Sequence, residues 1–159
     1  MMRGAGEIPE VTTTRVEHFE LGARGEALAI EHLERAGYRI VAANFSLPIG
    51  RNTRDVIVHA EIDVIAYDGP TLCFIEVKTR ASDEIAAPQT NVDLRKRRQI
   101  ARAARSYRRL LGLIDSPFRY DVVTVVAKPD HARPRIELHK AFWKDEQLRK
   151  KNWRESSWD

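Results

Sequence analysis

A single cysteine, Cys73, stands among the 159 residues, so no disulfide forms within the chain and no cysteine-type zinc site can be built from it. That economy suits a reducing compartment, and a core thiol in a strand is the simplest use of Cys73. Long apolar runs are missing too. Nothing approaches the roughly 18 residues of a membrane-spanning helix, and the opening MMRGAGEIPEVTTTRVEHFE is polar where a secretory leader would be basic and then apolar. Neither a membrane span nor a leader is therefore expected, and the chain is assigned to the cytoplasm. His59, His131 and His139 lack the spacing of a metal site and read as surface or edge residues. No internal repeat or low-complexity block occurs. Acids are absent from residues 95–109, where Arg95, Lys96, Arg97, Arg98, Arg102, Arg105, Arg108 and Arg109 fall.

What is present suffices for one domain. Hydrophobic residues make up 43% of the chain, enough to bury a core, and the formal charge of +4 favours polyanionic partners. Residues 1–17, Thr-rich and without periodicity, read as a disordered arm. LGARGEALAIEHLERAGYRI reads as a helix with an apolar stripe of Ala23, Ala27, Ile30 and Leu33, ended by Gly37. YRIVAANF suits a short strand and SLPIGRNTRD a loop. VIVHAEIDVIAYD and TLCFIEVKTR read as strands joined at Asp68-Gly69-Pro70. ASDEIAAPQTN is a loop. A second helix spans Val92 to Leu113, capped by Asn91 or Asp93 and closed near Gly112. FRYDVVTVVAK and RIELHKAF are further strands around the turn PDHARP. The order predicts an α/β domain over residues 18–142, with helices on both sides of a mixed sheet, followed by a charged, Trp-containing tail at 143–159.

Charges interrupt this pattern where apolar residues belong. On the first helix, at about 100° per residue, Glu26 falls within about 40° of both Ile30 and Leu33, on the face that should be buried. A buried acid needs a partner or a metal. On the hairpin, the apolar sets Ile62, Val64, Ala66 and Cys73, Ile75, Val77 must share one face, because side chains alternate along a strand. A loop of two or four residues allows this, and the pairing of Glu61 with Glu76 and of Asp63 with Phe74 is taken. Asp63 is then diagonal to Glu76, and Glu61, Asp63, Glu76 and Lys78 emerge on the other face. Ile65, Tyr67, Leu72 and Phe74 share that face, so it too is covered.

Converging carboxylates repel one another and are most simply reconciled by a hard divalent cation, Mg²⁺ or Mn²⁺. A lysine beside them suits metal-assisted hydrolysis of a phosphodiester.

In order and content, GARGEALAIEHLERAGYRIVAANF, EIDVIAYD, FIEVKTR, the helix around Lys96 and RYDVV resemble the YraN-like family of uncharacterised bacterial proteins. That family is similar to a branch of the PD-(D/E)xK nuclease superfamily and to archaeal Holliday-junction resolvases. The resemblance implies a restriction-endonuclease-like fold and Mg²⁺- or Mn²⁺-dependent cleavage of DNA. Asp63 and Glu76 would be metal ligands with the Val77 carbonyl, Lys78 the catalytic lysine, and Glu26 the helix-borne acid. Glu61 matches a family position as well, and is open to a role behind the ligands or on the surface. Two features depart from the family pattern, Ala60 in place of glycine and a longer stretch between Asn44 and Glu61.

Outside the cluster, Arg95, Arg98, Arg102, Arg105 and Arg109 share a helix face opposite Ile100, Ala103, Ala104, Tyr107 and Leu111. That face is either solvated or a contact for nucleic-acid phosphates, DNA ahead of RNA. Lys96 lies on the core side, where it can point toward the carboxylates. Arg80 is a second phosphate candidate, Asp121 a structural acid in an apolar strand. Trp153 and Trp158 of the tail suit packing, or stacking on bases. Non-catalytic nucleic-acid binding and protein interaction are the alternative functions, and a homodimer would fit a substrate with two scissile strands.

Overall fold

Five strands form one sheet in chain order: β1 (Arg39–Arg51), β2 (Ile57–Asp68), β3 (Thr71–Ala81), β4 (Phe118–Ala127) and β5 (Arg135–Trp143). The structure, a computed structural model, describes residues 10–81, 92–127 and 133–149. Neighbouring strands are antiparallel except β3 and β4, which run parallel. A parallel pair needs a long crossover, and α2 (Leu94–Leu110) provides it on one face of the sheet. The helix α1 (Glu10–Arg35) covers the other face. This is the expected α/β architecture, a restriction-endonuclease-like mixed sheet flanked by helices. Among the described residues no helix is long and apolar enough to cross a membrane.

Each face has its own core. Ala29 and Leu33 of α1 pack on Val64, Ala66, Cys73, Ile75, Val123 and Val125. Ile100, Ala103, Ala104 and Tyr107 of α2 pack on Ile65, Leu72, Phe74, Tyr120 and Val122. The central strands are thus buried on both sides, which is why TLCFI and VVTVV read as nearly unbroken apolar runs. Each fully buried Ile or Phe here contributes about 1.5–3 kcal/mol. Burial in this core pushes the Cys73 thiol up to about 12, as befits a residue used for packing.

Several boundaries differ from the sequence reading. The first helix starts at Glu10, inside the stretch expected as an arm, while residues 1–9 lie outside the described residues. The run Thr12-Thr13-Thr14 is a poor nucleus, yet extending an existing helix costs far less than starting one. Ala23 and Ala27 are exposed, and the buried line on α1 is Gly25, Ala29 and Leu33, one residue row round the helix. SLPIGR is no loop. It continues β1, pairing Leu47 with Ala60, Pro48 with His59 and Arg51 with Ile57. Pro48 is tolerated because β1 is an edge strand and the register shifts between Pro48 and Gly50. Asn52 closes the lengthened hairpin by accepting hydrogen bonds from the Arg54 and Val56 amides.

At the other end, Trp143 belongs to the domain and not to a tail. It is buried and stacks on Tyr120, ring centroids 4.7 Å apart. A 3₁₀ turn, Asp145–Leu148, follows it. Leu111 is exposed, and the buried residue on that turn of α2 is Arg108, whose guanidinium lies 3.5 Å from the Phe118 ring centroid. The loop 82–91, the turn 128–132 with His131, and the tryptophans Trp153 and Trp158 lie outside the described residues.

Candidate metal and phosphate site

The β2–β3 turn decides how the acids meet. Gly69, at φ 57°, supplies the positive φ that primed hairpin turns demand, and with Pro70 it makes a two-residue loop. Asp68 therefore pairs with Thr71, Ala66 with Cys73 and Val64 with Ile75. The expected pairing of Glu61 with Glu76 and Asp63 with Phe74 is two residues out, because it corresponds to the longer of the two permitted loops. Asp63 and Glu76 face each other directly, at the point where the ladder stops and the strands part.

Asp63 takes over from the ladder there. Its Oδ2 accepts the Val77 backbone N–H at 2.8 Å, a bond that a neighbouring strand's carbonyl would otherwise receive. Across from Asp63, between the pairs Ala43–Val64 and Phe45–Ile62, Asn44 has the left-handed φ of 51°. The bend reverses the facing of β2. Val64 and Ala66 pack against α1, whereas Ala60 and Ile62 pack with the α2 core. The charges consequently straddle the sheet and do not share one face. Glu61 turns toward α1, Glu76 toward α2, and Asp63 sits between them.

Glu26 reaches this point because α1 lies unusually close to β3. A Cβ added at Gly25 would stand 2.0 Å from Thr79 Oγ1, so only glycine permits this approach. The next residue along the helix is Glu26. One carboxylate oxygen each of Glu26, Glu61 and Asp63 come within 4.8 Å of one another. The close trio therefore contains Glu61, which the sequence left open between several roles, and not Glu76. Burial pushes the Glu26 carboxyl up, Asp63 and Glu61 push it further, and a hydrogen bond from Asn44 opposes them.

Glu76 has the harsher setting. It is 5% exposed, its Oε2 has no hydrogen-bond partner among the described residues, and its Oε1 lies 3.9 Å from Lys96 Nζ. Burial, then the Asp63 charge, raise its carboxyl to about 8, against the pull of Lys96 and Lys78. Lys78 is half-buried on the same side of β3. Arg80 follows on that side with a buried Nε that no acceptor reaches among the described residues. Asp93 caps α2 by accepting the Lys96 backbone N–H at 2.8 Å, which fixes the turn that aims Lys96 at Glu76.

The structure thus brings Glu26 and Glu61 to one side of Asp63, and Glu76 to the other, where Lys96 is the cation on Glu76 and Lys78 lies beside it on β3. Arg95 and Arg102 are exposed and Arg98 half-buried on the far side of α2, away from this cluster. Asn44 and Thr79 were missed. An asparagine inside a strand pattern signals a left-handed residue, and a glycine inside a helix pattern signals a close approach.

Comparison with known proteins agrees with the motifs. Residues 25–125 match the family described as Uncharacterised protein family UPF0102. A UPF0102 protein of Geotalea uraniireducens is 40% identical over 123 residues, covering 77% of this chain and 88% of that relative. One from Chlorobium limicola is 42% identical over 130 residues, covering 79% and 93%. One from Chlorobaculum tepidum is 47% identical over 110 residues, covering 67% and 75%.

Proposed function

From the premise that the chain belongs to the uncharacterised protein family UPF0102, we propose that it is a metal-dependent nuclease hydrolysing phosphodiester bonds in DNA, branched or single-stranded DNA foremost. The observation that carries the reading is Glu76. A carboxylate this buried, with one oxygen unpartnered and a second acid facing it, is expensive for a fold to keep. The clustered carboxylates of Glu26, Glu61 and Asp63 suit a hard cation, and Glu76, whose carboxyl the Asp63 charge pushes up, is a further donor at their edge; the motif adds the Val77 carbonyl. Mg²⁺ or Mn²⁺ held there would act as a Lewis acid on a phosphoryl oxygen and would neutralise the crowded acids.

The chain's own groups do the rest. Lys78, beside Glu76, places a positive charge where negative charge develops on the phosphoryl group, or holds the attacking water and takes its proton. Arg80, two residues beyond Lys78 on the same side of β3, offers a positive charge to a neighbouring phosphate. Lys96 holds Glu76 in place from the start of α2.

The test is Mn²⁺- or Mg²⁺-dependent cleavage of a panel of branched, flapped and single-stranded DNAs. Wild type is expected to cut, with the rate falling about 10²–10³-fold in Lys78→Ala and in Asp63→Ala. A protein that cuts nothing in the panel, or variants that cut like wild type, would sink the enzymatic reading. A second reading, nucleic-acid binding without turnover, draws on the arginine face of α2 alone and predicts binding that survives Asp63→Ala with no cleavage.

A further inference from the structure

Arg98, Arg102 and Arg105 of α2 and Arg149 after the 3₁₀ turn line one groove of about 520 Å³. Arg149 is the addition that folding makes: the helix face alone is a stripe, and the 3₁₀ turn gives the stripe a second wall. The wall is fixed in place. Arg98 Nε donates to the Leu148 carbonyl at 3.3 Å, and Asp145 Oδ1 accepts the Tyr120 hydroxyl at 2.7 Å. Asp145 is the one acid among the lining residues, facing four arginines, and its carboxylate is already engaged. None of the ion pairs among the described residues uses Arg98, Arg102, Arg105 or Arg149. Ala101 and Leu148 leave an apolar strip in the groove. Four guanidinium groups that make no ion pair among the described residues, set around an apolar strip, match a chain of phosphates joined by less polar units.

The groove is separate from the acidic cluster. At about 100° per residue, Arg98, Arg102 and Arg105 point about 120–180° away from Lys96, the residue of α2 that reaches Glu76. Its volume is that of a small-ligand site, room for a short stretch of one backbone.

We propose that this groove is a second nucleic-acid contact, an anchoring site that grips the phosphodiester backbone of a single strand on the side of α2 remote from the cation site. It rests on the reading of the substrate as nucleic acid, and it adds that a substrate is held at two separated places. A DNA with a single-stranded arm can occupy both.

The experiment is fluorescence anisotropy of a labelled oligothymidylate in EDTA across a salt series. Arg102→Glu/Arg105→Glu alters two exposed residues, and an unchanged melting temperature would show that the fold is kept. The double variant is expected to bind at least about 10-fold more weakly, with the slope of log affinity against log salt reduced by about 1–2. Arg54→Glu/Arg135→Glu, equal in charge change and outside the groove, is expected to bind within about two-fold of wild type. The proposal is overturned if the groove variant matches wild type while Lys78→Ala or Arg80→Ala weakens binding, if both charge-swapped pairs lose affinity equally, if a polyglutamate peptide displaces the strand as readily as unlabelled oligonucleotide, or if wild type binds no oligonucleotide. Loss of cleavage or of Mn²⁺ affinity in the wild type would instead break the catalytic reading and leave the anchoring site standing.

Discussion

The two ends of the β2–β3 hairpin carry similar chemistry in opposite states. In the network that extends to the turn end, Asp121 of β4 is fully buried, yet Arg119 donates to both of its oxygens, the Tyr38 hydroxyl donates at 3.0 Å, and the Ala141 amide at 2.9 Å. Arg119 and Lys140 also hold Asp68, whose carboxyl lies below the usual range because of them. Burial works against the charge on Arg119, but its hydrogen bonds to Asp121 and Asp68 outweigh this and raise its pKa. At the open end, Glu26, Glu61, Asp63 and Glu76 crowd together with one distant lysine contact on Glu76, and two of them are held above the usual carboxylate range. Closed networks stabilise, whereas an open cluster of acids stores a demand for something else. The same residue types are satisfied within the protein at one end and, on the proposed function, await a cation at the other.

The contrast breaks most visibly at its satisfied end. Asp121→Ala would strand Arg119, Tyr38 and the Ala141 amide, and should destabilise by about 3–5 kcal/mol in urea unfolding, with Mn²⁺ affinity little changed once the protein is folded. An effect under about 1 kcal/mol would mean that the network is ornamental.

Gly25→Ala tests the route by which the open end is assembled. The added methyl meets Thr79, and relief requires α1 to move off β3, at about 1–3 kcal/mol. Calorimetry should show weaker Mn²⁺ binding, because Glu26 moves with the helix, and Thr79→Ala in the same chain should recover part of both losses.

The smallest effect sharpens the comparison. The raised carboxyl of Glu76 means that the folded protein holds a proton the unfolded chain releases near 4.5. In EDTA, its contribution to stability is therefore full below pH 4.5 and is lost as pH rises through about 8. Glu76→Gln removes that loss, so it should be more stable than wild type by about 1–2 kcal/mol at pH 8, with the gap closing toward pH 4.5. On the proposed function Mn²⁺ raises the melting temperature of the wild type, and the same variant should lose that rise. A pH-independent gap would contradict the assignment of the open end.

Most of the architecture was legible because periodicity and turn chemistry agree. The Gly37 stop, the Asp68-Gly69-Pro70 turn, the Asp93 cap and the two covered faces all stand where pattern placed them. Glu26 was legible as an acid on an apolar arc. The register was not, since parity permits loops of two or four residues and only backbone geometry chooses between them. The facing of Glu61 was hidden for a related reason: strict alternation assumes a regular strand, and Asn44 breaks it from the neighbouring one. The long β1 was masked by Pro48 and Gly50, residues that argue for a loop unless the strand is known to lie at an edge.

The bond from the Val77 amide to Asp63 makes this backbone group a gauge of the site's occupancy. On the proposed function, whatever draws the carboxylate toward a cation lengthens that bond. A single amide resonance, followed by its shift and its exchange with solvent, would register the arrival of metal, the titration of the acids and the parting of the two strands, without any substrate being present.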